Sequence, residues 1–166
     1  MSMEGPKQNS NELFNGDSWV LPTDINLVGP AEADFEKRLV GAEWDEDDIF
    51  KLMYAFREAL INSITHGNLG IKKKIDGEDL ATTAAREQSV HPTNKKIYIT
   101  IEVGKNKVSL KLRDEGEGFK QAEVQDPTEQ GLLDVKGRGI FLMKQFFDSV
   151  TYNEKGNEVT MIKEKK

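Results

Sequence analysis

The chain contains no cysteine, which excludes disulfide bonds, thiolate zinc sites and thiol nucleophiles. It also has no apolar run that approaches the roughly 20 residues needed to span a bilayer. The polar residues 1–16 lack the apolar core of a signal peptide. From these absences we expect a cytoplasmic protein with no membrane partner.

A long basic face and a phosphate-binding P-loop are missing as well. The formal net charge is -6, whereas proteins that bind nucleic acid normally carry a basic footprint. No Gly-x-x-x-x-Gly-Lys-Ser/Thr sequence occurs, and the strand–helix–strand alternation of a dinucleotide fold is absent. The sequence therefore argues against nucleic acid as a direct partner. It does not argue against a nucleotide, which needs only a few local donors and a metal ion.

Composition and patterning predict one α+β domain. Of the 166 residues, 37% are hydrophobic and 31% are charged, which is typical of a globular chain rather than a disordered one. We expect a flexible segment at 1–16 and a single domain at 17–166, with an insertion at about 70–95. The predicted fold is a two-layer sandwich, in which helices pack on one face of a mixed, mainly antiparallel sheet.

Local signals place the elements of this fold. Strands are expected at about 18–21, 97–103, 108–112, 149–153 and 158–163. Helices are expected at about 24–40, 46–66, 78–88 and 140–147. Thr23 or Asp24 is the expected cap of the first helix, and Gly41 its end. Residues 120–136 lack clean periodicity and are expected to form a loop or lid.

The helix at about 46–66 combines an apolar face with a polar strip. The predicted core face consists of Ile49, Leu52, Met53, Phe56, Leu60 and Ile64, widened by Phe50, Tyr54 and Ile61. Glu58, Asn62 and His66 follow one another at four-residue steps on another side. This strip is either a solvated helix face or a ligand contact. The apolar surroundings favour a ligand, because a buried polar group without a partner costs about 1–3 kcal/mol.

The polar strip suits metal-assisted phosphate chemistry. Mg²⁺ prefers oxygen ligands and often takes only one or two from the protein, so the Asn62 carbonyl oxygen is a candidate metal ligand. Glu58, one turn earlier, is a candidate base for an attacking hydroxyl. His66 is either a phosphate-side donor or, as we favour, a helix-terminal residue whose ring satisfies backbone carbonyls.

The turn Asp114-x-Gly116-x-Gly118-Phe119 directly follows a predicted strand. Asp and Gly favour turns in general, so an ordinary strand-ending turn is one interpretation. In the other, Asp114 accepts a hydrogen bond from an adenine amino group, and the glycines let the backbone pass close to the base. An acidic acceptor at this point would select adenine over guanine.

A second glycine-rich segment, Gly137-Arg138-Gly139, precedes the predicted helix at 140–147. It is either a hinge between a loop and a helix or an anion site, because helix N-termini carry free N–H groups. Lys136 and Arg138 add positive charge where phosphates would lie.

In this order, the three segments resemble the N, G1 and G2 boxes of GHKL-type ATPase domains. The boxes read Glu-x-x-x-Asn-x-x-x-His from Glu58, Asp-x-Gly-x-Gly-Phe from Asp114, and Gly-x-Gly from Gly137. Within that superfamily the chain is similar to the bacterial anti-sigma factor serine/threonine kinases. The resemblance extends from about 18 to 163 and includes the closing run from Gly156 to Thr160.

The resemblance implies ATP and Mg²⁺ as cofactors and phosphoryl transfer to a serine or threonine of an anti-anti-sigma partner. It leaves a sigma factor open as a second partner, and a homodimer open as the assembly. Glu58 would be the catalytic base, Asn62 the metal ligand and Asp114 the residue that reads adenine. The residues implied around ATP are Asn62, His66, Asp114, Gly116, Gly118, Phe119, Lys136, Gly137, Arg138, Gly139, Ile140 and Thr160. The insertion is longer than in compact members, and its role stays open between a partner-docking surface and a cover over the first helix pair.

Other functions fit the sequence less well. A histidine kinase is disfavoured because the only histidines are His66, inside the predicted site, and His91, in the insertion, and no helical phosphoacceptor segment precedes the domain. Gyrase-like or chaperone-like motors need further domains. An ATP-responsive module that sequesters a regulator without catalysis is the main alternative. The presence of Glu58 favours the kinase, since a binding module could dispense with the base.

Overall fold

The computed structural model describes residues 13–71, 79–118 and 135–165, and of residues 135–140 it describes the backbone. Most of the predicted flexible segment at 1–16 lies outside these ranges. So do residues 72–78 of the insertion, Phe119 and nearly all of the predicted lid at 120–136.

Five strands form one antiparallel sheet. They are β1 (Ser18–Pro22), β2 (Lys96–Val103), β3 (Lys107–Arg113), β4 (Ser149–Tyr152) and β5 (Glu158–Glu164). The order across the sheet is β1-β2-β3-β5-β4, and each of the four neighbouring pairs is antiparallel. The predicted mainly antiparallel sheet is therefore confirmed, and within the described residues no pair is parallel.

The alternation of apolar residues along the strands fixes which face of the sheet is core. Ile99 of β2 lies between Trp19 of β1 and Leu112 of β3, and all three are buried. The pattern continues to Val159 of β5, which pairs with Leu112. Because successive side chains of a strand point to opposite faces, the residues between them face away from the core.

Two capped helices cover the core face of the sheet. The Asp24 carboxylate accepts from the Asn26 N–H at 3.0 Å and caps a 3₁₀ turn, Ile25–Leu27, which leads into α1 (Val28–Gly41). The Asp45 carboxylate accepts from the Asp48 N–H at 2.7 Å and caps α2 (Glu46–Asn62). The expected cap at Asp24 and end at Gly41 are thus confirmed.

The packing of α2 corrects one part of the predicted core. Leu52, Phe56 and Leu60 are fully buried as expected, and Phe56 packs on Phe35 of α1 with ring centroids 4.9 Å apart. Phe50, predicted to widen the apolar face, is instead 71% exposed. At 3.6 residues per turn Phe50 lies roughly 200° around the helix from Leu52, so the two cannot share a face.

Two further helices complete the helical layer. The insertion contains α3 (Leu80–Val90), which contacts the 3₁₀ turn before α1 and the segment that follows α2. The Gln88 amide accepts from the Ile25 N–H at 2.8 Å and donates to the Asp24 carboxylate at 2.9 Å. The fourth helix, α4 (Val135–Phe146), packs on α2. Within the described ranges, no helix has the length and apolar character to cross a membrane.

Candidate functional site

A pocket lies where the C-terminal end of α2 meets the ends of β3, β4 and β5. It is lined by Ala59, Asn62, Ser63, His66, Gly67, Leu112, Asp114, Gly118, Tyr152, Gly156, Asn157, Glu158 and Val159. The structure therefore brings together four of the predicted site residues, Asn62, His66, Asp114 and Gly118. They come from segments that are far apart in the chain and that the sequence patterns identified separately.

The wall formed by α2 changes its hydrogen-bonding pattern at the pocket. The predicted helix at about 46–66 is α-helical only to Asn62 and continues as a π-helix, Ser63–Asn68. The Leu69 N–H donates to the Ile64 carbonyl at 2.9 Å, a bond that spans five residues instead of four. Short π segments within helices are rare and occur frequently at functional sites. The wider turn presents Ser63, His66 and Gly67 together to the pocket.

The side-chain oxygen of Asn62 is a candidate metal ligand. Its side-chain oxygen Oδ1 is buried and has no hydrogen-bond partner among the residues that the structure describes. Such an atom needs a partner, and Mg²⁺ takes oxygen ligands of this kind while completing its shell with water and phosphate oxygens. The described residues contain no cluster of three or more His, Asp or Glu side chains that could hold a metal by themselves. The site thus fits a metal that arrives with a phosphate ligand.

The ring of His66 has a structural role that follows from its geometry. Its Nδ1 atom lies 2.7 Å from the carbonyl oxygen of Ile71. A carbonyl can only accept, so Nδ1 carries the proton and donates. This contact agrees with the interpretation of His66 as a helix-terminal residue whose ring satisfies a backbone carbonyl. His66 also lines the pocket, so the same side chain contacts the Ile71 carbonyl and forms part of the pocket wall.

Asp114 is held rigidly in the pocket, with its carboxylate against Gly67 at the end of the helical wall. Its carboxylate oxygen Oδ1 accepts from the Gly116 N–H at 2.8 Å, and the residue is buried. Asn157 fixes the backbone of Asp114 twice. The Asn157 carbonyl accepts from the Asp114 N–H at 2.9 Å, and the Asn157 amide donates to the Asp114 carbonyl at 2.8 Å. A carboxylate fixed beside apolar Leu112, Ala59 and Val159 suits a flat apolar ring with an amino group.

The glycines around Asp114 are required by packing within the protein. A Cβ atom added to Gly67 would lie 2.6 and 2.7 Å from the two carboxylate oxygens of Asp114. One added to Gly116 would lie 2.6 Å from the carbonyl carbon of Gly67. Gly118 has φ +80°, and its Cβ would lie 2.8 Å from the carbonyl carbon of Lys155. Close contacts within the protein therefore explain why glycine is needed at these positions. The approach of these glycines to a nucleotide base stays a prediction.

Several residues of the site were not singled out from the sequence. Buried Asn68 donates to the Thr23 hydroxyl at 2.9 Å and to the Lys96 carbonyl at 3.0 Å, and it accepts from the Glu115 N–H at 2.7 Å. It thereby anchors the turn after Asp114. Tyr152 lines the pocket from β4, and burial raises the pKa of its phenol, which stays neutral. Asn68 directly follows Gly67 and Asn157 directly follows Gly156, and this proximity to glycines in turns could have indicated a role for both. No feature of the neighbouring sequence indicates that Tyr152 lies in the pocket.

The pocket lining does not include the predicted site residues Glu58, Gly116 and Thr160, although the Gly116 N–H donates to the Asp114 carboxylate. Glu58 is half-buried on α2, one turn before Asn62, and is not among the lining residues. Thr160 pairs with Lys111 and Thr151 in the sheet. Its side chain therefore points to the face opposite that of Val159, which lines the pocket.

The second glycine-rich segment is helical. Lys136, Gly137, Arg138, Gly139 and Ile140 lie within α4, which in the described residues begins at Val135. The expected helix start near Ile140 is thus corrected. Glycine costs only about 1 kcal/mol relative to alanine in a helix, which the packing of later turns such as Phe146 on Tyr54 of α2 offsets. Phe119 lies outside the described residues.

In a comparison with protein families, residues 21–163 match the family described as histidine kinase-like ATPase domain. Comparison with curated proteins gives no match. The matched range runs from β1 to β5 and contains every element of the pocket. The ATP-binding role that such a domain implies agrees with the pocket between Asn62 and Asp114. The chain therefore belongs to the histidine kinase-like ATPase domain family.

Proposed function

We propose that this chain is a cytoplasmic, Mg²⁺-dependent serine/threonine protein kinase of the anti-sigma factor type. It transfers the terminal phosphoryl group of ATP to a serine or threonine of an anti-anti-sigma partner. The observation that carries the proposal is the buried Asn62 Oδ1 atom, which has no hydrogen-bond partner among the described residues and shares a pocket with Asp114. One end of the pocket thus suits a phosphate-bound metal, and the other suits a base.

The base end of the pocket accounts for selection of adenine. Asp114 accepts the hydrogen bond of the exocyclic amino group, and guanine presents a carbonyl at the equivalent position. The Gly116 N–H and the Asn157 hydrogen bonds hold the carboxylate in place before the nucleotide arrives. Ala59 and Val159 supply apolar contacts to the ring faces. Preorganisation of this kind lowers the ordering cost of binding.

The phosphate end of the pocket depends on Asn62. Its side-chain oxygen would hold Mg²⁺, which when bound neutralises charge on the phosphate oxygens. Lys136 and Arg138 of α4 are proposed to contact the phosphates, and Gly137, in the first turn of that helix, to give them a backbone N–H contact. These contributions position the terminal phosphoryl group and leave little covalent work to the protein.

Glu58 is the proposed catalytic base. It takes the proton of the partner's hydroxyl as the oxygen forms its bond to phosphorus and the bond to the leaving ADP oxygen breaks. The absence of Glu58 from the pocket lining favours a second candidate function. In that alternative the chain is an ATP-responsive module that sequesters a sigma factor or another regulator without transferring phosphate.

A transfer assay with radiolabelled ATP and the candidate anti-anti-sigma proteins of the same genome tests the proposal. We expect label on one candidate, in a Mg²⁺-dependent reaction. Asn62→Ala should abolish Mg²⁺-dependent ATP binding, and Glu58→Gln should retain ATP binding but lose transfer. The exposed Asn106→Ala and Glu154→Gln are the matched controls and should behave as the unmodified protein.

Each failure of this assay has a distinct meaning. ATP binding without transfer to any candidate would overturn the kinase and support the sequestering module. Undiminished Mg²⁺-dependent binding in Asn62→Ala would refute the metal role. Transfer at an unchanged rate in Glu58→Gln would remove that residue as the base.

A further inference from the structure

An exposed apolar groove lies between α1 and α2, away from the pocket. Val40 of α1 is 58% exposed and Phe50 of α2 is 71% exposed, and both line this groove with the half-buried Ile49 and Met53. Single exposed apolar residues are common on protein surfaces, but contiguous ones generally mark contact sites. Within the described residues, two of the four large exposed hydrophobic side chains meet in this groove.

The rim of the groove is acidic. Glu36 and Glu46 complete its lining, and Asp47 and Glu43 are exposed close by in sequence. The exposed Lys37 and Lys51 are adjacent in sequence to lining residues but do not line the groove themselves. An occupant that buries the apolar floor must therefore face carboxylates at the edges. Charge complementarity requires basic residues there.

We infer that this groove docks a basic amphipathic helix of a partner protein. A groove between two packed helices accepts a third helix, whose apolar side chains fill it while Lys or Arg on its flanks meet the rim. A second copy of this chain is a poorer occupant, because it would bring the acidic rims of two molecules together, each with a formal net charge of -6. The inference is independent of phosphoryl transfer.

The groove does not overlap the pocket. Phe50 and Asn62 lie twelve residues apart on the same helix, a separation of about 18 Å along its axis at 1.5 Å per residue. A partner seated on Phe50 therefore leaves the pocket open. Phe50 is the expected anchor, since large aromatic side chains dominate binding energy at such contacts.

Two synthetic helical peptides serve as probes in a fluorescence anisotropy titration. Both carry the same leucine face, and their flanks are lysine in one and glutamate in the other. The full chain should bind the lysine peptide only, with an affinity that falls as salt rises. Phe50→Ser should weaken binding at least tenfold. Glu36→Gln combined with Glu46→Gln should flatten the salt dependence. Val90→Ser, at a residue 61% exposed on α3, is the matched control and should leave binding unchanged.

Three outcomes would overturn the inference. Equal binding of the lysine peptide by the Phe50→Ser and unmodified chains would show that the groove is not used. Equal binding of both peptides would remove the role of the acidic rim. A dimer in sedimentation that Phe50→Ser dissociates would assign the groove to a second copy. Since Phe50 is exposed, its replacement should leave the thermal unfolding midpoint unchanged, which separates a docking role from a folding role.

Discussion

Replacing Gly118 with alanine should destabilise the protein strongly. Gly118 has φ +80°, a left-handed conformation that costs an L-residue about 1–2 kcal/mol. The added Cβ would also lie 2.8 Å from the carbonyl carbon of Lys155 and still closer to its carbonyl oxygen. These atoms belong to the backbone of the β4–β5 hairpin and cannot rotate away as the end of a side chain can. The hairpin or the turn after Asp114 must shift.

The two costs add to a predicted loss of several kcal/mol. Overpacking of a tight contact costs typically about 1–3 kcal/mol, so the total for Gly118→Ala is about 2–5 kcal/mol. For a domain of this size each kcal/mol lowers the thermal midpoint by about 2–4 °C, which predicts a fall of about 4–20 °C. Circular dichroism during heating measures the midpoint, and urea titration measures the free energy of unfolding.

Gly16→Ala is the matched control for this prediction. Gly16 has a similar φ of +71°, but a Cβ there meets no atom within 4 Å. This variant should bear only the conformational cost, about 1–2 kcal/mol. If Gly118→Ala and Gly16→Ala lower the midpoint equally, the close contact with Lys155 has no energetic weight and the reasoning fails.

Three further predictions concern the pocket and the helical layer. Asp114→Asn should weaken ATP binding by about tenfold or more, since a hydrogen bond to a charged group contributes about 1.5–3 kcal/mol. GTP binding should be unaffected. Calorimetric losses of affinity of the same size for both nucleotides would contradict the role of Asp114 in recognising adenine. Gly67→Ala pushes the Asp114 carboxylate aside and should also reduce ATP affinity about tenfold, whereas unchanged calorimetric affinity would show that the carboxylate position is not critical. Burial raises the pKa of Glu32, and nearby Glu36 adds to the rise while Arg57 opposes it. At pH values between the ordinary pKa of a glutamate and the raised pKa of Glu32, the carboxyl group is protonated in the folded state and ionised in the unfolded state. The free energy of unfolding therefore falls as the pH rises through this range. Glu32→Gln should gain stability relative to the unmodified chain as urea titrations move from pH 4 to 7, and a relative loss would refute the sign.

Much of the fold was accessible from local pattern. The strict alternation through Ile97, Ile99 and Ile101 predicts a strand with one buried face, and that face is buried. Asp24 and Asp45 each precede a helix whose first N–H groups lack partners, so their capping roles follow from residue type and position. These features depend on neighbours within a few residues.

The features that the sequence could not supply depend on distant contacts. The side chain of Thr160 faces away from the pocket because Val159 pairs with Leu112, a register set by strands that are far apart in the chain. Tyr152 enters the pocket only because β4 pairs with β5. The π-helix after Asn62 has no periodicity signal that distinguishes it from an α-helix of the same length.

The hydrogen bonds of Asn68 have a consequence for the order of folding. Its side chain joins Thr23, Lys96 and Glu115, which lie 45, 28 and 47 residues away along the chain. Closing loops of this length costs entropy before any contact repays it, so we expect these bonds to form late in folding. The turn that holds Asp114 is therefore assembled only when the entry to α1, the start of β2 and the π-helix have all met. Nucleotide bound there would report a completely folded chain, and by mass action would shift the whole molecule, rather than one loop, toward the native state.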